Sequence, residues 1–278
     1  MIARERTASA KPPGRADVPP RVERRTLSSQ IYAILENGIL SGTLRPGTPL
    51  SEESLASTYG VSRAPAREAI TELERIGLAI RSGPRDRAVA VPTEEMIAHQ
   101  YEVWWIVDSG RTYLASLEAT PDEHAEMRRL IDGMAEGVKR NDRPLYRLNS
   151  DRFHEKIRER CRNTLLSHIG YGCDLYIRWF EALYDRDAEP SAECVAEHYE
   201  ILDAYERRSL EDLTRTIRVH ILRQRSRIVD AFKAEQARAM KASAGPAPLR
   251  PRRVQGVLGG FALPPLEDVP PGRMPADC

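Results

Sequence analysis

The stretch from residue 51 to residue 91 constrains the fold of this chain more tightly than any other part of the sequence. Ser51 is placed to cap a first short helix, and Gly60 supplies a left-handed residue where that helix would end. Ser62 is placed to cap a second helix, whose apolar residues recur at helical spacing until Gly77. A short helix, a Gly-Val-Ser turn and a second helix together predict a helix-turn-helix.

A small β-hairpin is predicted directly after the second helix. Two runs of alternating character, at 78–81 and 87–91, flank a turn sequence at 82–86 that contains glycine and proline. An earlier helix, at about 26–41, carries one apolar stripe and is expected to pack on the helix-turn-helix. Residues 23–92 are therefore predicted to form a winged helix-turn-helix domain.

The placement of arginine on this domain predicts DNA binding. Arg63 begins the second helix and Arg67 follows one turn later, so both project from the half that a recognition helix presents to base edges. A guanidinium fork suits guanine O6 and N7, or phosphate. The predicted DNA contacts are Ser62, Arg63 and Arg67 on the helix and Arg81, Arg85 and Arg87 on the wing. The alternative is a solvated face on which these arginines pair with Glu68, Glu72 and Glu74.

The same stretch resembles the amino-terminal signature of the GntR family of bacterial winged-helix regulators. The resemblance is carried by Leu44-Arg45-Pro46-Gly47, Leu50, Glu52, Leu55-Ala56, Gly60 to Arg63, Pro65, Arg67-Glu68-Ala69, Leu73-Glu74 and Gly77-Leu78. Two positions depart from the pattern: Glu53 lies where many members have arginine, and Ala64 where many have threonine. Both departures fall at expected DNA contacts, so the resemblance implies DNA binding without specifying the operator sequence.

Composition separates the ends of the chain from its middle. Residues 1–22 are polar and proline-rich, which predicts a disordered arm, and residues 241–278 are predicted to be a disordered tail rich in proline and glycine. The net charge of +1 conceals a basic front and an acidic middle. No apolar run reaches membrane-spanning length, no signal core begins the sequence, and the cysteines are widely spaced. We therefore expect a cytoplasmic protein with reduced thiols and no membrane partner.

Residues 93–240 consist almost entirely of amphipathic helical patterns. The predicted helices span 94–118, 121–139, 143–161, 164–184, 191–208 and 210–238. Pro121, Pro144 and Pro190 each fall near a predicted helix start, where proline is tolerated. Short links between long helices predict an antiparallel bundle. The predicted fold is mainly α, with an N-terminal winged helix-turn-helix domain, a C-terminal all-helical bundle and disordered tails.

Three histidines of the helical region are candidates for a metal site. His154, His198 and His220 each lie within an otherwise core-facing stripe and could converge inside a bundle, where imidazoles bind Zn, Ni or Mn. On the residues alone, three ordinary polar or interface histidines are the simpler interpretation, because nothing local fixes their mutual distance.

The helical region resembles the FCD-type effector domain of the FadR branch of the GntR family. His154, with Phe153 before it and Asn163 after it, matches the first histidine of the metal-binding members, and His198 and His220 match the later two. The resemblance therefore implies a divalent metal, Zn, Ni or Mn, bound by these three histidines.

The acidic residue of that family site does not match. Ser150 occupies the position four residues before His154, whereas Asp151 lies one residue later, roughly 100° further round the helix. Two arrangements stay open: Asp151 reaches the metal with some adjustment, or the site consists of three histidines plus water or ligand.

The class also implies a small anionic effector, because an open metal position and an arginine can both bind a carboxylate. Arg178 matches a family arginine, while the other usual arginine is replaced by Trp104, which suggests a more apolar or aromatic acid. Ser150 completes the predicted ligand-binding set. Core packing explains Trp104 equally well.

The leading functional prediction is a transcriptional regulator, specifically a repressor and not an enzyme. It is expected to bind double-stranded operator DNA as a homodimer and to respond to a small organic acid. One alternative is a regulator that responds to acyl-coenzyme A or fatty acid without metal. Another is a metal-dependent hydrolase, although Arg158 occupies the position that the second histidine of a His-Glu-x-x-His motif beginning at His154 would fill.

Overall fold

The computed structural model describes residues 26–84, 86–185 and 189–243. The predicted arm at 1–22 and the predicted tail beyond residue 243 lie outside these ranges. In chain order the elements are α1 (Leu27–Leu40), α2 (Glu52–Tyr59), α3 (Arg63–Arg75), β1 (Ala79–Arg81), β2 (Arg87–Val89), α4 (Glu94–Glu118), α5 (Pro121–Arg140), α6 (Arg143–Arg160), α7 (Thr164–Tyr184), α8 (Ala192–Glu206) and α9 (Leu210–Ser243). The prediction of a mainly α fold is confirmed.

The N-terminal elements form a winged helix-turn-helix. The Ser51 hydroxyl accepts a hydrogen bond from the Ser54 amide at 3.2 Å, which caps α2. Gly60 ends that helix with a φ of 63°, a left-handed conformation that glycine adopts without steric cost. The strands β1 and β2 pair antiparallel, with Ala79 opposite Val89. Local capping therefore determines where the helix-turn-helix begins and ends.

The core of this domain lies between α1 and α3. Ile31 and Leu35 of α1 are fully buried, as are Leu73 of α3 and Leu55 of α2. Burying each such side chain contributes about 1.5–3 kcal/mol, so the apolar stripe of α1 fastens the two helices of the helix-turn-helix. Truncating Leu73 to alanine would cost about 2–5 kcal/mol and loosen α3, the helix that carries the predicted DNA contacts.

The C-terminal elements α4 to α9 form a helical bundle in which α4 packs against α6, α7 and α9. A buried ion triad joins α4 to α7, because the Arg111 guanidinium contacts the carboxylates of Asp108 at 2.5 Å and Asp174 at 2.9 Å. Removing one partner of such a group leaves an uncompensated buried charge, so the triad fixes how the two helices pair. Among the described residues, no helix is both long and apolar enough to span a bilayer.

One hydrogen bond links the helical bundle directly to the recognition helix. The Tyr176 hydroxyl of α7 donates to the carbonyl oxygen of Ile76, the residue that ends α3, at 2.8 Å. The next residue, Gly77, has a φ of 77° and faces the same hydroxyl so closely that an added Cβ would collide with it. Both the backbone conformation and the available space therefore require glycine at this junction.

Candidate DNA-binding surface and metal centre

The predicted DNA contacts of α3 lie at its exposed N-terminal end. The Ser62 side chain makes no cap hydrogen bond, contrary to the prediction, and is exposed. The side chains of Arg63 and Arg67 are 59% and 64% exposed and pair with α2 carboxylates, Arg63 with Glu53 at 2.9 Å and Arg67 with Glu52 at 3.1 Å. Exposed pairs contribute only about 0–1 kcal/mol, so these guanidinium groups can exchange a carboxylate for DNA at small cost.

The two described arginines of the wing differ in accessibility. Arg81 is 72% exposed and lies 3.5 Å from Glu74, whereas Arg87 is 19% exposed and lies 2.8 Å from the same carboxylate. Pairing with Glu74 was the alternative considered from the sequence, and the closer contact belongs to Arg87. Arg81 is thus the wing arginine better placed for a partner in solvent, and Arg85 lies outside the described residues.

The three candidate metal-binding histidines converge in the helical domain. His154 comes from α6, His198 from α8 and His220 from α9, and the donor atoms that they offer lie within 4.8 Å of one another. The Nε2 atoms of His154 and His198 are 3.2 Å apart. The rings of His198 and His220 are nearly perpendicular, with centroids 4.7 Å apart. The packing of three helices therefore produces a compact imidazole cluster.

Hydrogen bonds assign the tautomers of two of these rings. The Nδ1 atom of His198 lies 2.7 Å from the carbonyl oxygen of Cys194 and donates to it, which directs the Nε2 lone pair toward His154. The Nδ1 atom of His220 lies 2.9 Å from the Glu197 carboxylate and donates to it, which leaves Nε2 as the ring atom that could bind a metal. Histidines that bind metals ordinarily hold their other ring N–H on a carbonyl or carboxylate in this way. The donor set therefore fits a divalent metal.

The histidines of the cluster differ in their protonation. Burial lowers the pKa of His154, and the neighbouring His198 and His220 lower it further. Burial would likewise lower the pKa of His220, but hydrogen bonds to Cys194 and Glu197 outweigh burial and raise it to about 9. His154 is therefore neutral at neutral pH, whereas His220 is protonated and must release its Nε2 proton when a metal binds there.

A second group of possible ligands adjoins the cluster and shares one member with it. Cys194, Glu197 and His220 are all buried, and their donor atoms lie within 4.8 Å of one another. Burial raises the pKa of the Cys194 thiol, but contacts with His198 and His220 outweigh burial and lower it to about 5. A thiol, a carboxylate and an imidazole thus meet next to the three-histidine cluster, and the imidazole, His220, belongs to both groups.

The remaining predicted site residues are not brought into the histidine cluster. Asp151 is exposed and its carboxylate is not among the donor atoms that meet there, and Ser150 is half-buried. Arg178 is also exposed. Trp104 is buried and packs edge-on against Tyr101 with ring centroids 5.7 Å apart, as core packing requires. Their roles in ligand or metal binding remain predictions.

Two buried charged residues near the cluster were not identified from the sequence. Glu197 contacts His220, and Arg111 acts on His154, whose pKa is lowered chiefly by burial and in smaller part by the Arg111 charge. The spacing of Asp108 and Arg111, three residues apart in a helix, is a sequence signal for an ion pair. Nothing in the sequence signals the Glu197 contact, because it depends on how α8 packs against α9.

Two family descriptions match consecutive parts of the chain. Residues 27–85 match the family described as "Bacterial regulatory proteins, gntR family", and residues 101–223 match the family described as "FCD domain". The first match covers the winged helix-turn-helix, and the second covers the region that contains the three histidines.

Individual relatives extend these matches. The chain is 27% identical over 146 residues to the uncharacterized HTH-type transcriptional regulator YdhC of Bacillus subtilis, covering 50% of this chain and 65% of that protein. It is 27% identical over 190 residues to a probable D-xylose utilization operon transcriptional repressor of Paenarthrobacter nicotinovorans, covering 67% and 81% respectively. It is 44% identical over 52 residues to the HTH-type transcriptional repressor RspR of Escherichia coli, covering 19% and 23%.

Solved structures support the same fold. The McbR/YncC protein of E. coli superposes with a TM-score of 0.55 at 17% identity, covering 78% of this chain and 100% of that one. A putative GntR transcriptional regulator from Rhodococcus sp. RHA1 superposes with a TM-score of 0.56 at 22% identity, covering 73% and 98%. The two family matches and the named relatives show that the chain belongs to the GntR family of bacterial regulatory proteins, DNA-binding transcriptional regulators and not enzymes, and that it carries an FCD domain.

Proposed function

We propose that this protein is a cytoplasmic, homodimeric repressor whose operator binding is controlled by a small organic acid bound at a metal in the helical domain. The observation that carries the proposal is the convergence of His154, His198 and His220 with hydrogen-bonded Nδ1 atoms on the latter two. Repression is inferred from relatives that are named repressors. Effector binding would shift the balance between DNA-competent and incompetent arrangements.

The three imidazoles would hold Zn, Ni or Mn and leave at least one coordination position open. When bound, such a metal supplies a Lewis-acid position for a carboxylate oxygen. We favour the arrangement of three histidines plus water or ligand over one that includes Asp151, because the Asp151 carboxylate is not among the donor atoms that meet at the cluster. The protein's own contribution is to fix the ring orientations before the ion arrives.

The effector would be recognised by the metal together with side chains around it. Arg178, Trp104 and Ser150 are the proposed ligand-binding residues, and an arginine fork is suited to a carboxylate. Ser150 lies one helical turn before His154 on α6, so it shares a helix face with that imidazole. Trp104 would favour an acid with an apolar or aromatic body.

A continuous stripe on α4 supports the homodimer. Its members are spaced alternately four and three residues apart, the seam spacing of helices that pack against one another. They are His99, Val103, Ile106, Gly110, Tyr113 and Leu117. Val103, Ile106 and Leu117 are exposed, and so are Leu165 and Ile169 on the neighbouring helix α7. We propose that this face packs against a second copy of the chain, which would place two winged domains on two operator half-sites.

A single substitution tests the dimer. Ile106→Glu should convert the protein to a monomer in sedimentation analysis and weaken operator binding, because a charge cannot be buried unpaired at a helix seam. Leu148→Glu is the matched control, since Leu148 is equally apolar and exposed but lies on α6. A dimer that survives Ile106→Glu with unchanged operator affinity would refute the proposed face.

The regulatory proposal is tested with protein purified without chelator. Elemental analysis should find stoichiometric divalent metal, and small organic acids should raise the melting temperature only when metal is present. The same acids should weaken binding to the protein's own promoter region, measured by fluorescence anisotropy against random DNA at several salt concentrations. Metal-free protein that is stabilised by acyl-coenzyme A would instead support the metal-independent alternative. Absence of any preference for promoter DNA would refute the regulator itself.

A further inference from the structure

Glu197 is a buried carboxylate that contacts one histidine of the proposed metal site. Its Oε2 atom accepts the Nδ1–H of His220 at 2.9 Å, and its Oε1 atom lies 2.8 Å from Nε of Arg223. Glu197 belongs to α8, whereas His220 and Arg223 belong to α9. The residue after Glu197 is His198, so this contact fastens two helices at the point where each supplies a metal ligand.

The two α8 and α9 histidines are held by different partners. His198 donates to a backbone carbonyl, that of Cys194, whereas His220 donates to a carboxylate whose second oxygen forms an ion pair with Arg223. A carboxylate behind a metal-binding imidazole fixes the ring and makes its other nitrogen a stronger donor. Of these two histidines, His220 is therefore the one with an anionic partner.

We propose that Glu197, anchored by Arg223, is a positioning residue that orients His220 and sets the affinity of the cluster for divalent metal. This inference rests on the proposed function, in which the three histidines bind the metal. Glu197 does not contact the ion. It acts through the Nδ1–H of His220, whose Nε2 atom would face the metal.

The main competing arrangement makes Glu197 a direct ligand together with Cys194 and His220. The contacts favour positioning instead. The Nδ1 atom of His220 is at hydrogen-bond distance from Glu197, and the Cys194 sulfur lies 3.8 Å from Nδ1 of His198, which already donates to the Cys194 carbonyl. An ion that took Nδ1 of His220 and Oε2 of Glu197 as ligands would have to replace the hydrogen bond that orients His220.

Glu197→Gln in the full-length protein is the direct test, because it keeps the size and an acceptor atom but removes the charge. Competition with a chelator should show Zn binding weakened by roughly 10- to 100-fold. Glu193→Gln is the matched control: Glu193 is on the same helix and pairs with the same Arg223 at 2.8 Å, but it is 79% exposed and does not contact His220. The control should bind Zn like the wild type.

Spectroscopy separates positioning from loss of structure. In the cobalt-substituted protein the ligand-field bands should shift in Glu197→Gln and not in Glu193→Gln, while the metal-free melting temperatures of both stay near the wild-type value. If Glu197→Gln does not fold, Arg223→Met provides a second variant that leaves the Glu197–His220 contact in place. It should weaken Zn binding in the same direction by a smaller factor.

Three outcomes would overturn the inference. Wild-type protein that binds metal while Glu197→Gln binds it equally well removes the positioning role and leaves the proposed function intact. A thiolate-to-cobalt charge-transfer band that disappears in Cys194→Ser assigns the ion to the Cys194 group instead. Wild-type protein that binds no divalent metal refutes the metal site of the proposed function, and the positioning role with it.

Discussion

The winged domain and the helical domain hold their functional side chains in opposite ways. Arg63 on the predicted DNA-binding surface is exposed and faces a still more exposed Glu53, so its partner can be exchanged for DNA with little loss. His220 is buried and faces a buried Glu197, so its orientation is built into the packing of α8 and α9. The arginines of the winged domain are close to solvent and can change partners. The histidines of the helical domain are held in place before any ligand binds. The proposed function uses both, because DNA is bound by adjustment whereas a metal requires defined geometry.

The largest expected effect is on the fixed site. His198→Ala combined with His220→Ala should abolish stoichiometric metal binding, since one imidazole cannot hold the ion against a chelator. Elemental analysis after dialysis measures the result. His168→Ala, an exposed histidine on α7, is the control and should retain full metal content. If the double variant keeps its metal, the ion is bound elsewhere and the contrast between the two regions is lost.

The second-largest effect is expected from a change in the packing around the histidine cluster. Phe153 is fully buried, and its ring centroid lies 5.4 Å from that of His154 and 5.1 Å from that of His198. Phe153→Ala should lower the free energy of unfolding by about 3–5 kcal/mol, because it leaves a cavity beside two histidines of the proposed metal site. Urea denaturation followed by circular dichroism measures it. Leu148→Ala, exposed on the same helix, should change little. Equal effects of the two variants would show that the histidine cluster lacks a packed support.

A smaller loss is expected at the DNA surface. Arg63→Ala should weaken operator binding by about 1–3 kcal/mol if the guanidinium contacts a base edge. Fluorescence anisotropy with promoter and random DNA measures both affinity and preference. Arg75→Ala is the control, since Arg75 is exposed at the other end of α3 and pairs with Glu72. Unchanged preference in Arg63→Ala would contradict its role in reading the operator.

The smallest effect belongs to the contact between the two regions. Tyr176→Phe should lower the free energy of unfolding by about 0.5–1.5 kcal/mol, because the Ile76 carbonyl loses its hydroxyl donor. Tyr59→Phe is the control: its buried hydroxyl has no hydrogen-bond partner among the described residues, so removal should be neutral. Thermal unfolding compares them. If both variants behave alike, the hydrogen bond to Ile76 contributes nothing to the junction.

Much of the fold was predictable because its determinants are local. Ser51 and Gly60 mark both ends of α2, and the helix at 94–118 was predicted with the bounds that the structure shows, since Thr93 caps it and Pro121 begins the next helix. The end of α9 was predicted five residues too early, at 238 instead of Ser243, because the alanine-rich sequence continues to favour helix.

Partners across elements were less predictable. The carboxylates opposite Arg63 and Arg67 come from α2, not from α3 as in the alternative interpretation of the sequence, because the turn of the helix-turn-helix brings the two helix starts together. The three histidines were named from their stripes and a resemblance, yet their separation is set by the packing of α6, α8 and α9. The same packing decides that Glu197 faces His220.

The junction at Gly77 has a consequence for hybrid regulators. A chimaera that joins another DNA-reading domain to this helical bundle would ordinarily be cut in the linker near residue 92, where the sequence changes character. The Tyr176 phenol, however, docks on the Ile76 carbonyl and needs the empty space above Gly77. Any donor domain would have to bring a glycine and a free carbonyl to those two positions. Without them the transplanted domain could fold correctly and still be seated at the wrong angle.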